Sequence, residues 1–286
     1  MLISVMMITL LERRWMGIVQ RRIGRNINAR YGMLQRVWDG LKLYIKERLL
    51  RVLLLSIVYL ITRLVFLMIG LIITTLVRLR GTNVVIIENR YSILVILILS
   101  SMSGYSIFYS GYGSNNIYSI IGSIRCISQL ISYEVYVGLM YIIILYGISE
   151  VTRESISSMC LIKRLQLEHW LFISTRGIWI IYIITIISEC NRSRFDISES
   201  ESELVSGWST EYGGINFASF MIGEYTNIII MSYISSIIFT GGMWWIIIII
   251  IFIHVRCTFC RLRQDTLLSL GWKYILPFIL LEWYRM

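Results

Sequence analysis

Two long, strongly apolar runs set the terms for this chain. RVLLLSIVYLITRLVFLMIGLIITTLV spans residues 51–77 and YSILVILILSSMSGYSIFY spans residues 91–109. Each is long enough to cross a hydrocarbon core of ~30 Å, for which about 20 helical residues suffice. Backbone polar groups cannot stay unpaired in lipid, so runs of this kind must be helical. Similar runs recur along most of the 286 residues, and only 15% of the chain is charged, against roughly a quarter in a soluble domain. The fold class is therefore an all-α polytopic membrane protein, with one transmembrane domain over residues 1–286.

Eight transmembrane helices are expected, at about 1–22, 52–79, 91–110, 117–148, 167–189, 215–238, 242–256 and 271–285. The fourth is too long for one straight crossing, so it is either broken or strongly tilted. Gly122 and Gly138 would permit a bend. The N-terminus has no basic stretch and no small-residue cleavage site, so a cleaved signal is not expected. No repeat or separate soluble domain is visible.

The loops alternate in character. Arg13–Arg51 is long and basic, GYGSNN is short and polar, residues 189–211 are acidic, and RCTFCRLRQD is basic. Counting crossings puts all four on one face, which the positive-inside rule makes the cytoplasmic or matrix face. The opposite loops, 80–90 and 150–166, also carry Arg and Lys. The net charge of +10 thus reads as topology and does not indicate nucleic acid. Over about 31–46, Leu34, Trp38, Leu41 and Ile45 follow helical spacing, while Asp39, Lys42 and Lys46 fall on other faces. This amphipathic interfacial helix would lie in the membrane interface or against a partner subunit.

Cys257 and Cys260 form a CxxC motif three residues after His254, but a structural zinc wants four ligands and the other histidine, His169, is distant. Five scattered cysteines do not suggest a disulfide framework. The residues that stand out are acids. Glu134 lies in ISYEV, Glu189 ends the fifth span, and Glu224 lies in GEY within the sixth. Charge inside a span is costly, so an intramembrane acid marks a functional site by default. The bland alternative is a neutral, hydrogen-bonded Glu that pins helices together. Six of the 17 acids fall between Glu189 and Glu211, with Glu199, Glu201 and Glu203 alternating with serine. A solvated loop is the ordinary reading of such a stretch, but Leu204, Val205, Trp208, Phe217 and Phe220 follow closely and argue against full solvation. No dinucleotide fingerprint, P-loop, nucleophile elbow or iron–sulfur cysteine cluster is present. Any electrons would be carried elsewhere.

Six stretches carry a resemblance: ERRWMGIVQRRIGRN (12–26), YGMLQRVWDGLKLYIKE (31–47), YSIFYSGYGSNNIYSIIGSIRCISQLISYEV (105–135), ECNRSRFDISESESELVSGWSTEY (189–212), GEYTNIIIM (223–231), and RLRQD with WKYILP (261–277). In order and spacing they resemble the NADH dehydrogenase subunit 1 family, the membrane subunits at the quinone site of respiratory complex I. The resemblance implies eight transmembrane helices plus an amphipathic helix, forming much of a quinone tunnel in the mitochondrial inner membrane. It implies that Glu12, Arg13, Gln20, Arg22, Asp39 and Lys42 line or support the tunnel entrance. Glu134, Glu189 and Glu224 would belong to an acidic path toward proton-pumping subunits, joined to the quinone cavity by a loop containing Arg192, Asp196, Glu199, Glu201 and Glu203. Arg256, Arg261 and Arg263 would dock the peripheral arm. Ubiquinone would be the substrate, with NADH, FMN and iron–sulfur clusters on partner subunits. The partners implied are the peripheral-arm quinone-site subunits, small neighbouring membrane subunits and lipids such as cardiolipin.

The departures from the family pattern are specific. The family's Gly-Pro-Asn is here Gly24-Arg25-Asn26, and arginine also stands at family proline positions at Arg30, Arg36, Arg48 and Arg194. Looser matching adds Arg51, Arg63, Arg78 and Arg80, while the whole chain has one proline, Pro277. Mid-span Arg63 would cost at least a few kcal/mol without a partner. Either these codons are read as proline, or arginine is accommodated by neighbouring subunits. The first span also looks short, with 11 residues before Glu12. Three rival readings are a related hydrogenase-type complex, a stand-alone transporter and a structural scaffold. Transporters often show inverted repeats or paired broken helices, which are not evident, and a scaffold leaves three intramembrane acids unexplained.

Overall fold

The computed structural model describes residues 1–24, 32–46, 56–77, 91–152, 162–163, 166, 170–171, 176–191, 195, 207–258 and 262–285. The helices are α1 (Leu2–Val19), α2 (Gln35–Ile45), α3 (Ser56–Leu76), α4 (Ser92–Gly113), α5 (Ile117–Thr152), α6 (Arg176–Glu189), α7 (Ile215–Thr240), α8 (Trp245–Thr258), α9 (Gln264–Leu270) and α10 (Leu276–Arg285). No strand occurs among the described residues. Within the described residues, four helices are long and apolar enough to cross a membrane: those at Ile57–Leu76, Ser92–Gly113, Ile117–Ile148 and Ile215–Thr240. Gly177–Glu189 and Trp245–Thr258 are shorter apolar helices.

α5 is continuous over 36 residues, so neither Gly122 nor Gly138 breaks it. At 1.5 Å per residue it is ~54 Å long, well beyond ~30 Å of hydrocarbon, and it must tilt or protrude. Gly122 serves close approach instead: a Cβ there would lie 2.9 Å from Gly207 Cα and Trp208 N, whereas a Cβ at Gly138 would meet nothing within 4 Å. The last helical unit also begins earlier than the sequence suggests, at Gln264. It continues through a π turn, Gly271–Ile275, where the Leu276 N–H reaches the Gly271 carbonyl. The chain's only proline, Pro277, follows that turn. A proline ring clashes with the carbonyl four residues back, and a widened turn relieves that clash.

α7 is the hub. It packs against α3, α8, α1, α2 and α6, while α4 packs on both α3 and α5. Its hydroxyls do not need partners on other helices: Thr226, Ser232, Ser235 and Ser236 each donate at 2.7 Å to the carbonyl three residues earlier. That back-bonding lets polar residues sit in an apolar interior. α3 turns Ile57, Ile61, Leu64, Met68 and Ile72 outward in one helical stripe, and α4 turns Tyr105, Tyr109 and Tyr112 outward near its C-terminal end. Apolar stripes with aromatics at one level suit lipid and its interface.

Candidate functional site

Three carboxyls on three helices line one cavity of about 190 Å³. Glu134 comes from α5, Glu189 from the end of α6 and Glu224 from α7, with walls from α3 and α4 and from Trp208. Glu189 is buried, while Glu134 and Glu224 are half-buried. Glu134 is close enough to bear electrostatically on Glu189, and it shares the cavity wall with Ser100. Ser100, Ser101 and Ser103 of α4 also line the cavity. Their hydroxyl hydrogens go to the carbonyls of Leu97, Ile98 and Ser100 at 2.8, 2.8 and 2.6 Å. Each oxygen therefore keeps lone pairs for water or a protonated carboxyl. The cavity is lined largely by apolar side chains, with the three carboxyls and the α4 hydroxyls as its polar groups. Its size leaves room for several waters beside those groups, through which the carboxyls can exchange protons.

A second cluster borders this cavity. Glu12 of α1 is buried and accepts from Arg256 of α8 on one oxygen and from the Tyr225 hydroxyl, at 2.6 Å, on the other. A small cavity of about 20 Å³ is lined by Glu12, Tyr225, Arg256 and Cys190, and Cys190 also lines the larger cavity. One thiol thus touches both chambers. Successive helical residues point ~100° apart, which sends Glu224 into one chamber and Tyr225 into the other.

The remaining residues expected at a tunnel entrance fall outside that cluster. Arg13 pairs with Asp39 at 3.1 Å across the α1–α2 contact, and Gln35 donates to the other Asp39 oxygen at 3.1 Å. Arg22 donates to Gln20 at 2.7 Å on the surface, and Lys42 is exposed in the last turn of α2. Arg36 reaches the Thr9 carbonyl at 2.7 Å; burial, then the nearby Arg13 charge, holds its guanidinium below the usual arginine range. The α2 stripe of Leu34, Trp38, Leu41 and Ile45 is exposed on the isolated chain.

Arg192, Asp196, Glu199, Glu201, Glu203 and Arg261 lie outside the described residues, as do Leu204, Val205 and Cys260. The downstream end of the acidic segment, residues 207–211, packs into the helices. Trp208 and Phe220 are buried with Tyr212, Phe66, Ile107 and Cys126 in a small aromatic core. Tyr212 stacks on Tyr59 at 4.2 Å and donates to the Ser110 carbonyl at 3.1 Å. Burial pushes its phenol up. Arg256 separates from its expected companion Arg263. The last turn of α8 faces α1, so Arg256 turns inward onto Glu12, whereas Arg263 is exposed beside Asp265 at 3.1 Å. His254, next to the CxxC, accepts from Trp15 Nε1 at 3.3 Å.

Sequence reasoning did not single out Tyr225, Cys190 or the α4 serines. Serines at 100, 103, 106 and 110 do recur at helical spacing, which was a usable signal. Tyr225 had none, because its partner Glu12 is 213 positions away.

Comparison with known proteins adds a consistent set of relatives. The sequence model of a family described as NADH dehydrogenase matches residues 1–285. NADH-ubiquinone oxidoreductase chain 1 of Paracentrotus lividus is 35% identical over 292 residues, covering 96% of this chain and 88% of that protein. Its namesake in Dictyostelium citrinum is also 35% identical, over 290 residues, with 98% and 88% covered. A bacterial relative, an NADH-quinone oxidoreductase subunit from Rhodospirillum centenum, is 33% identical over 299 residues, with 98% and 87% covered.

Proposed function

The chain belongs to the NADH dehydrogenase family, and on that premise we propose that it is the core membrane subunit of a proton-pumping NADH:ubiquinone oxidoreductase. It spans the mitochondrial inner membrane with eight helices, forms part of the quinone tunnel, and carries the acidic path that couples quinone reduction to proton movement. The observation that carries this reading is the convergence of Glu134, Glu189 and Glu224 on one cavity, with the Glu12–Tyr225–Arg256 cluster against its side. Quinone reduction changes the charge near the acidic segment. Carboxyls at the cavity wall respond by exchanging protons through water, and the Glu12 cluster joins that response to the tunnel side. Electrons arrive from partner subunits with FMN and iron–sulfur clusters, so this chain binds, shapes and relays without its own redox centre.

The test uses the assembled complex carrying Glu134→Gln, Glu189→Gln or Glu224→Gln. Electron transfer from NADH to a hydrophilic acceptor reads the flavin-bearing partner and should stay unchanged. Quinone reductase activity and proton pumping should both fall, most for Glu189, the most enclosed of the three. Full pumping in all three variants would remove the acidic path from the reading.

A further inference from the structure

Ser119, Gly122, Cys126 and Gln129 recur every three or four residues along α5, so they form one stripe on that helix. The whole stripe faces the acidic segment. At the segment's downstream end, the Ser119 hydroxyl donates to the Trp208 carbonyl at 3.2 Å, and Gly122 lies against the Gly207–Trp208 backbone. At its upstream end, Asn191 Nδ2 donates to Cys126 Sγ at 3.1 Å. Gln129 makes the most consequential contact. Its single amide nitrogen donates to the Ser188 carbonyl at 2.9 Å and to the Phe195 carbonyl at 2.8 Å. Ser188 immediately precedes Glu189, and the Gln129 side chain is 1% exposed.

We propose that Gln129 is a positioning residue that couples the acidic segment to Glu189, by tying Phe195 in the segment and Ser188 at the end of α6 to one amide. This rests on the function proposed above. A displacement of the segment at Phe195 is carried through the amide to Ser188 and hence to the Glu189 carboxyl in the cavity. Two hydrogens on one nitrogen are what the two carbonyls need. An amide also stays neutral, so the tie holds at any working pH. A carboxylate at this position would repel both carbonyls, leucine would leave both without a donor, and asparagine, one methylene shorter, would not span both.

Gln129→Leu, Gln129→Asn and Glu189→Gln in the assembled complex test the inference. With Gln129→Leu, quinone reductase kcat should fall about tenfold, the equivalent of one or two hydrogen bonds, while quinone KM stays unchanged. Alkylation of Cys190, followed by peptide mass spectrometry, should become several-fold faster as the hold of Gln129 on Ser188 and Phe195 is lost. Gln129→Asn should give a milder version of both effects, and it carries the test alone if the leucine variant lowers the amount of complex. Wild-type kcat together with wild-type alkylation would overturn the inference, as would a raised KM at unchanged kcat, which would place Gln129 in quinone binding. The Glu189→Gln arm separates the two failures. Intact pumping there sinks the acidic path itself, whereas loss of pumping there alongside a silent Gln129 sinks only the positioning role.

Discussion

Glu224 and Tyr225 are consecutive in α7, yet they serve different chambers: Glu224 lines the three-acid cavity, and the Tyr225 hydroxyl donates to Glu12 at 2.6 Å in the smaller one. This one turn of helix is the partition between the α1 acid and the membrane acids. Tyr225→Phe removes the hydroxyl and leaves the ring, so the Glu12–Arg256 pair keeps its packing. Losing a buried bond to a charged acceptor costs about 1–3 kcal/mol. The complex should melt lower, and quinone turnover should fall by roughly tenfold or less. Unchanged thermal stability and turnover would show that the hydroxyl does not matter to either chamber.

Glu12 and Arg256 should couple strongly in a double-mutant cycle. Removing one partner of a fully buried pair costs about 3–5 kcal/mol, whereas replacing both is often nearly neutral. Arg256 is partly exposed and Tyr225 still donates to Glu12, so each single loss here falls toward the lower end of that range. Arg256→Met alone should therefore reduce assembled complex sharply, as should Glu12→Leu. The double variant should recover much of the assembly without recovering quinone turnover. Additive losses of complex in the double variant would contradict the pairing.

How much of this could be read in advance depends on distance along the chain. An acid inside an apolar run declares itself, so Glu134, Glu189 and Glu224 stood out. Their meeting in one cavity was not legible, because they sit on three helices whose packing no local pattern reveals. Helix identity followed from hydrophobicity, but helix ends and continuity did not: glycines in α5 suggested a bend, and the long apolar run prevailed. The resemblance groups Arg256 with Arg263 and Arg261 as docking residues. The buried partner of Arg256 is 244 positions away, and burial decided its direction.

Gly122 and Gly138 offer a matched comparison on one helix. Alanine at 122 would place its Cβ 2.9 Å from backbone atoms of residues 207 and 208, which cannot rotate away, while alanine at 138 would meet nothing within 4 Å. Gly122→Ala should displace the end of the acidic segment and destabilise the protein by roughly 1–3 kcal/mol. Gly138→Ala should be neutral or stabilising by up to about 1 kcal/mol, from helix propensity alone. Melting temperatures of the two complexes check the contrast, and equal effects would contradict the seating of residues 207–208 on α5.

The arginines at family proline positions can be tested chemically. Arg36 and Arg63 are the two among the described residues, both half-buried, with Arg63 eight residues into the span-forming α3. A guanidinium there is costly in a membrane helix, whereas proline is tolerated because neighbouring groups take up the freed carbonyl. Reading all nine positions as proline would lower the net charge of +10 by nine, to +1. We expect peptide mass spectrometry across Gly24–Asn26 and across Arg194–Phe195 to give the proline mass, with trypsin failing to cut at both places. Arginine masses at both would reject the codon explanation. Arginine would then be accommodated as Arg36 is, by the Thr9 carbonyl of this chain, and Arg36→Leu should lose that contact and lower the melting temperature of the complex.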